Sequence, residues 1–371
     1  MIWMPILLFL FEMSAFAFDN PYTIRSPEGL LMGDAYTGVN ADEFTMFYNP
    51  ATLGRHKKDF TFYPFNPQLS GTNVLNDVQR LKEFQEGQID ASEVLMDYPI
   101  HASAGIAPGF KLFNVGVSFF ASENYDLLLR NPAHPMLDID LHSDKGIILG
   151  TAIPLGKSRL NRQSQSGSQT SLGVSYKYVE RTGVRETVAL LSPEIAEALS
   201  KDGLKDILDS IDRVKSMGHG FDAGFEHVVK KGSSQFVMGL SALNIGGIEF
   251  KEESHPEEIQ VSDVRSQMNL GLAYGQNFNF FHYILSADVR GLNEETDFGK
   301  RLRMGLQFGF PALKFMAGLN SGYYSYGLTL DLFFMKLTTG LYGVEIGTHY
   351  KQIESNRFLI YLSLFDFSFD A

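Results

Sequence analysis

Between residues 111 and 310 the chain repeats one pattern. Every second residue is apolar, and the residues between are small, polar or charged. In residues 111–121, Phe113, Val115, Val117 and Phe119 fall on one side and Asn114, Gly116 and Ser118 on the other. Leu172, Val174, Tyr176 and Tyr178 alternate with Ser171, Gly173, Ser175 and Lys177. Met268, Leu270, Leu272 and Tyr274 alternate with Asn269, Gly271 and Gly275. The same holds for Leu285 and Val289 against Ser286, Asp288 and Arg290, and for Met304 and Leu306 against Arg303, Gly305 and Gln307. Strand side chains point to alternate faces, so each segment makes a strand with one greasy side and one wet or crowded side. A soluble sandwich could use any one of them. So many, with aromatics at their ends, predict an all-β fold: a transmembrane antiparallel β-barrel with lipid outside.

Composition narrows the alternatives. Charged residues make up 20% of the 371, below the roughly 25% of soluble domains. Aromatics reach 13%, with 31 Phe and 16 Tyr against one Trp. A net charge of −12 excludes a nucleic-acid partner, which needs a basic footprint. With no cysteine there is no disulfide framework and no thiolate metal site. Residues 1–17 read as a secretory signal peptide, with an apolar core from Ile6 to Phe11 and the cleavage pattern Ala15-Phe16-Ala17. Beyond them no apolar run approaches the ~20 residues of a spanning helix. A membrane chain without such runs must span as a closed barrel, which alone satisfies its own backbone in lipid.

Connections give an independent count. Tight links are expected at Pro108-Gly109, 231–233, 276–279 and Pro311, with long ones at 71–97, 122–143, 182–216, 244–263, 292–300 and 343–356. Short turns at one end and long loops at the other are the barrel habit. The count reaches 14 strands, with both termini at the turn end. Two links break the rule: 156–169 is long for a turn, and Ser321-Gly322 is short for a loop. Helical spacing marks insertions in the loops at 72–97 (Val74, Val78, Leu81, Phe84) and 192–216 (Ile195, Leu199, Leu204, Leu208, Ile211). The expected division is a leader at 1–17, an N-terminal hatch at 18–56 and the barrel at 57–371.

The hatch rests on residues 29–54, GLLMGDAYTGVNADEFTMFYNPATLG, which are Gly-rich and keep neither helical nor strand period. Gly29, Gly33, Ala35, Asp42, Tyr48, Asn49, Pro50 and Ala51 stand in the order of the N-terminal hatch of the FadL/PorV superfamily, which this stretch resembles. Residues 314–347 are similar to the last strands of the same superfamily. The resemblance implies a 14-stranded outer-membrane barrel of a Gram-negative bacterium, plugged from within. It also implies passive uptake of hydrophobic small molecules, fatty-acid-like or aromatic, with Gly29, Gly33, Tyr48, Asn49, Pro50 and Ala51 as hatch or gating residues. The alternative it leaves open is a PorV-like interaction or secretion-accessory protein. The expected surroundings are outer-membrane lipid and lipopolysaccharide.

Catalytic motifs are absent: there is no Gly-x-Ser-x-Gly elbow, no His-Glu-x-x-His and no phosphate-binding Gly loop. Asp138, Asp140 and His142 share one strand face by period two. They are read as an acidic loop wall facing water rather than as ligands. No catalytic residue, metal or cofactor is expected, although an outer-membrane barrel hydrolase remains the third alternative.

Overall fold

The computed structural model describes residues 22–39, 42–55, 60–73, 98–131, 134–155, 166–189, 213–252, 261–332 and 334–369. The expected leader, residues 18–21 and the helical insertions within 74–97 and 190–212 lie outside them. The described strands are β1 (Phe60–Tyr63), β2 (Gln68–Thr72), β3 (Ile100–Ile106), β4 (Gly109–Leu112), β5 (Val115–Arg130) and β6 (Met136–Leu155). There follow β7 (Ser166–Ala189), β8 (Val214–Lys231), β9 (Ser234–Leu243), β10 (Lys251–Glu252), β11 (Gln267–Asn277) and β12 (His282–Val289). The last are β13 (Leu302–Gly309), β14 (Leu313–Asn320), β15 (Tyr323–Leu332), β16 (Met335–Glu345), β17 (Glu354–Leu364) and β18 (Phe367–Phe369).

Neighbours pair antiparallel around one sheet, and β17 pairs back onto β2, which closes it. Three staves are broken in two: β1 and β2, β3 and β4, and β17 and β18. The halves keep a common register against a neighbour, as Arg357↔Thr72 and Phe369↔Phe60 show. β10 is a two-residue extension beside β8. The result is a closed antiparallel barrel of 14 strands.

One of the three breaks holds Phe365 in the left-handed region (φ 59°); the other two hold prolines, Pro64, Pro67 and Pro108, which have no N–H to donate. Asn66, fully buried, repairs the gap. Its Nδ2 donates to the Ala107 carbonyl and its Oδ1 accepts from the Ala107 amide, both at 2.9 Å. Pro108-Gly109 is therefore an interruption within a stave, not the expected turn. The turn falls at Phe113-Asn114, with Phe113 in the left-handed region (φ 50°). The expected continuous strand at 111–121 is thus a hairpin. The two-residue turn left the alternation intact across it, so sequence pattern could not expose the fold.

Outside the barrel, Val115, Phe119, Leu149, Ile153, Leu172, Val174 and Phe221 are exposed; inside, Ser118, Ser171, Ser175, Lys177, Asp222 and Glu226 are buried. This inversion belongs to a barrel in lipid, and the chain is an outer-membrane barrel. Among the described residues no helix is long and apolar enough to cross a membrane.

The wall is uneven. β5, β6, β7 and β8 have 16, 20, 24 and 18 residues, whereas β12, β13 and β14 have eight each. A spanning strand needs ~9–11 residues, so the four long strands stand well beyond the bilayer. Residues 122–130 and 136–143 of the first expected long loop, and 182–189 and 214–216 of the second, are strand. Charges there and beside them are paired inside: Arg130 Nε lies 2.5 Å from Asp138 Oδ2, and Arg181 bonds Asp144 through Nε and Nη2 at 2.7 Å each. On the other face of the same strands Leu127, Leu129, Leu137, Ile139, Leu141, Val184 and Val188 form a buried apolar cluster.

Residues 22–39 and 42–55 pack against inward-facing residues of the wall. α1 (Pro27–Leu31) starts where the Ser26 hydroxyl accepts from the Gly29 amide (2.8 Å) and Pro27 needs no donor partner. α2 (Thr45–Tyr48) and a 3-10 turn (Pro50–Arg55) follow. Tyr36, Phe44, Phe47, Tyr48 and Leu53 are at most 2% exposed. Wall glycines admit this backbone: a Cβ at Gly318 would lie 2.2 Å from the Gly33 nitrogen, and one at Gly173 would lie 2.4 Å from the Ala51 nitrogen.

Two substitutions test the wall. Val117, centred in the apolar band of β5, should not accept arginine: Val117→Arg is expected to cost about 2–4 kcal/mol and to impair heat-modifiable migration on gels. Asn66→Ala leaves two buried backbone groups unpaired, at about 1–3 kcal/mol each. It should lower the unfolding temperature in the same assay, whereas a variant migrating and melting like wild type would show that the break is stitched otherwise.

Candidate functional site

At the loop end a chamber of about 600 Å³ opens over residues 22–55. Six cationic side chains line it (Arg25, Arg265, Arg290, Lys300, Arg301, Arg303) against four carboxylates (Asp34, Glu294, Glu295, Glu345). The excess of positive charge stands out in a chain of net charge −12. Three further vestibule groups, Gln267, Asn320 and Ser321, are polar as well.

Its floor is built on Asp34, which lies in the left-handed region (φ 62°) behind Gly33 (φ 63°). Asp34 Oδ2 accepts from Arg290 Nη1 (2.6 Å) and lies 3.8 Å from Arg25 Nη1; Oδ1 accepts from the Tyr48 hydroxyl (2.8 Å). The Arg290 guanidinium stands 5.0 Å from the ring centroids of both Tyr22 and Tyr48, which stack on each other at 5.2 Å. Arg290 Nε and Nη2 have no hydrogen-bond partner, and neither does Arg303 Nε. These are buried donors on residues that line the chamber, with Asp288 Oδ2 3.8 Å from Arg290 Nε, and a buried donor without a hydrogen bond costs free energy until an acceptor arrives.

The remaining attachments are also polar. Asp288 Oδ2 accepts from the Tyr36 and Thr37 amides (2.9 and 2.8 Å). Glu28 pairs with Lys314 (2.9 Å), Glu43 with Lys336 (3.5 Å) and Arg55 with Glu226 (2.7 Å). Tyr361 donates to Glu43. Asp42 accepts from the Ser26 hydroxyl and from the Phe44 amide. Burial, and then the neighbouring Glu43 and Glu28, push the Asp42 carboxyl up to about 7.

The residues singled out from sequence come together in part. Tyr48 reaches the Asp34–Arg290 floor, and Gly29 lies under it: a Cβ there would stand 3.2 Å from the Tyr48 hydroxyl. Gly33 lies against β13 and β14, where a Cβ would meet the Leu319 backbone at 2.5 Å. Asn49, Pro50 and Ala51 sit away from the chamber against β7 and β8. Asn49 Nδ2 donates to the Thr37 and Phe225 carbonyls (3.2 Å each), and its Oδ1 accepts from the Ala51 amide (3.1 Å). Sequence reasoning missed Asp34, Arg25 and Arg290 as site residues. The available signal was Asp288 and Arg290 as consecutive inward charges at one end of β12.

The Asp138, Asp140 and His142 face is not a water-facing loop wall. It belongs to β6 and points inward; Asp138 is 0% and Asp140 3% exposed. Asp138 accepts from Thr187 Oγ1 (2.8 Å) and pairs with Arg130. Asp140 Oδ1 pairs with His142 Nδ1 (3.0 Å), and across a cavity of about 50 Å³ His101 Nδ1 pairs with Asp126 (2.7 Å). The in-register row Asp126↔Asp140↔Arg185 sets two carboxylates side by side, and they tolerate burial because Arg185 lies 3.8 Å from Asp140 and Arg357 3.2 Å from Asp126. Among the described residues no group of three or more His, Cys, Asp or Glu could hold a metal ion.

No family profile and no curated protein sequence matches the chain. Among solved structures it is similar to the Pseudomonas putida toluene transporter TodX, at 10% identity and a TM-score of 0.42, over 94% of this chain and 99% of that one. It is also similar to the Ralstonia pickettii toluene transporter TbuX, at 9% identity and a TM-score of 0.38, over 92% and 98% of the two chains. With CdiB of Acinetobacter baumannii it shares 10% identity and a TM-score of 0.36, over 82% of this chain but 60% of CdiB.

Two measurements probe the inner segment. Gly318→Val places a side chain where the Gly33 nitrogen lies and should expose residues 22–39 to hydrogen exchange while the apolar wall still assembles. Asp42 sets a pH dependence. Its ionised form is disfavoured in the packed state, so packing is strongest below its unpacked value of about 3.9. It should weaken as pH rises towards about 7 and stay level above that. Exchange of amides 42–48, corrected for intrinsic pH effects, should rise across that window in the native chain and stay flat in Asp42→Asn.

Proposed function

We propose that the protein is an outer-membrane uptake barrel for small hydrophobic molecules bearing an anionic head, fatty-acid-like or aromatic, with residues 22–55 as its hatch. The observation that carries this reading is the chamber over Arg290, where buried guanidinium nitrogens lack acceptors. A neutral hydrocarbon gains nothing from that lining, whereas a carboxylate supplies the missing acceptor. A hydrogen bond to a charged group contributes about 1.5–3 kcal/mol, or roughly 10- to 150-fold in affinity. An arriving carboxylate also competes with Asp34 for Arg290. Loosening that pair frees Tyr48 and, behind it, the Asn49-Pro50-Ala51 step, which is the proposed gate along with Gly29 and Gly33.

A second reading, an interaction or secretion-accessory protein, is favoured by the density of the lumen. Backbone packs on backbone at Gly33 and Gly318, and the long strands β5–β8 offer a surface beyond the membrane. Two measurements separate the readings. Deleting residues 22–55 should raise single-channel conductance in planar bilayers. Purified protein should bind laurate at least tenfold more tightly than dodecanol, with the preference lost in Arg290→Gln. Unchanged conductance on deletion together with equal binding of laurate and dodecanol would leave the interaction reading standing.

A further inference from the structure

The two-residue link Ser321-Gly322, anomalous for a loop end, separates two cavities of opposite character. Outside lies an apolar groove of about 560 Å³, within the roughly 300–1,000 Å³ of small-ligand sites. Two outward rows in strand register form it. The upper is Leu272↔Ala287↔Met304↔Leu319↔Tyr324, and the lower is Tyr274↔Leu285↔Leu306↔Ala317↔Tyr326. Ala287 and Ala317, small among large neighbours, make the depression. Tyr324, at 76% exposed, stands at its upper end.

Inside lies the cationic chamber. Leu319 belongs to the groove, while Asn320 and Ser321, the next two residues, belong to the chamber. Cations hold the rim: Arg303 Nη1 donates to Ser321 Oγ (2.6 Å), Ser321 Oγ donates to the Lys300 carbonyl (2.8 Å), and Lys300 Nζ donates to the Gly347 carbonyl (2.5 Å).

The rim is low. At about 3.3 Å per residue and a tilt of about 40°, eight residues rise ~20 Å, short of the ~25 Å apolar band of such barrels. The rim of β12–β14 therefore lies at or under the headgroup level of the outer leaflet, and the bilayer must thin to meet it. At that height acyl chains would meet the groove, and headgroups would stand level with Lys300, Arg301 and Arg303.

From this juxtaposition we infer that the Ser321-Gly322 rim is a docking site for an acylated, anionic lipid of the outer leaflet. One chain fills the Ala287/Ala317 groove, and the phosphate-bearing head turns over the rim onto the chamber's cations. The inference rests on the reading of the chamber as an anion-head site and adds its source, the membrane rather than the aqueous phase. Ordinary annular lipid would contact the groove with no preference for its head.

The test uses Tyr324→Trp as a reporter at the groove's upper end; the native chain's single tryptophan is Trp3. The protein is reconstituted in vesicles of phosphatidylcholine carrying equal fractions of either brominated phosphatidylglycerol or brominated phosphatidylcholine. Quenching should show at least a fivefold preference for the anionic lipid. The preference should fall below twofold in Lys300→Gln/Arg301→Gln, and Ala317→Phe, a conservative change on the lipid face, should weaken quenching by the anionic lipid. Equal quenching by both lipids, or a preference untouched by the charge variant, overturns the inference. Laurate binding, measured in parallel, separates the two proposals. If it persists without lipid preference, the rim alone is refuted; if it is absent while the preference remains, the uptake reading fails and the lipid site stands.

Discussion

A backbone amide in hydrocarbon has no water to bond, and the architecture follows from that constraint. Each unpaired group costs several kcal/mol, so a chain with no spanning helix must close its sheet. The β17–β2 pairing does this. The constraint is sharpest where three prolines remove donors at one height. There the Asn66 side-chain amide takes the role of a missing backbone unit, donating and accepting as a strand residue would.

The closed wall then has to fill its own inside. Fourteen strands enclose more volume than inward side chains of this chain can occupy, because many inward positions are glycine or serine. Residues 22–55 take that space, and the wall glycines are the places where two backbones touch. Packing there is apolar around Phe44, Phe47 and Leu53. Attachment to the wall combines ionic and hydrogen-bonded contacts with apolar ones, such as Phe44 on Tyr361 and Phe47 on Phe120. The buried ion pairs are poor sources of net stability but costly to break from one side. They hold the segment in one register while leaving it attached by contacts that another charged group can replace.

Uneven wall height gives the barrel two different sides. The long strands β5–β8 carry paired charges past the membrane, as in Arg130–Asp138 and Arg181–Asp144. The short strands β12–β14 leave a low rim, and the cationic chamber opens on that side, next to Arg301 and Arg303 and away from Asp138 and Asp140. The same chain thus presents a high wall on one flank and a polar chamber on the other.

The barrel, its outward face and its count of 14 strands were legible in the sequence, because a period of two is local and survives in every segment. Gly29 to Ala51 stood out in the sequence for keeping neither strand nor helical period, although short helical turns form within it, and the odd shortness of Ser321-Gly322 was visible too. What was not legible required contacts between residues far apart. Asp34 and Arg290 are 256 positions apart, and nothing near either one announces the other. Asp138 and Asp140 looked like a solvated loop wall although Leu137, Ile139 and Leu141 alternate with them; cross-strand register supplied the partners that their charges need. The hairpin at Phe113-Asn114 was hidden for the opposite reason, since the alternation ran straight through it. Local pattern determined which way each side chain points. Closure of the sheet decided what each one meets.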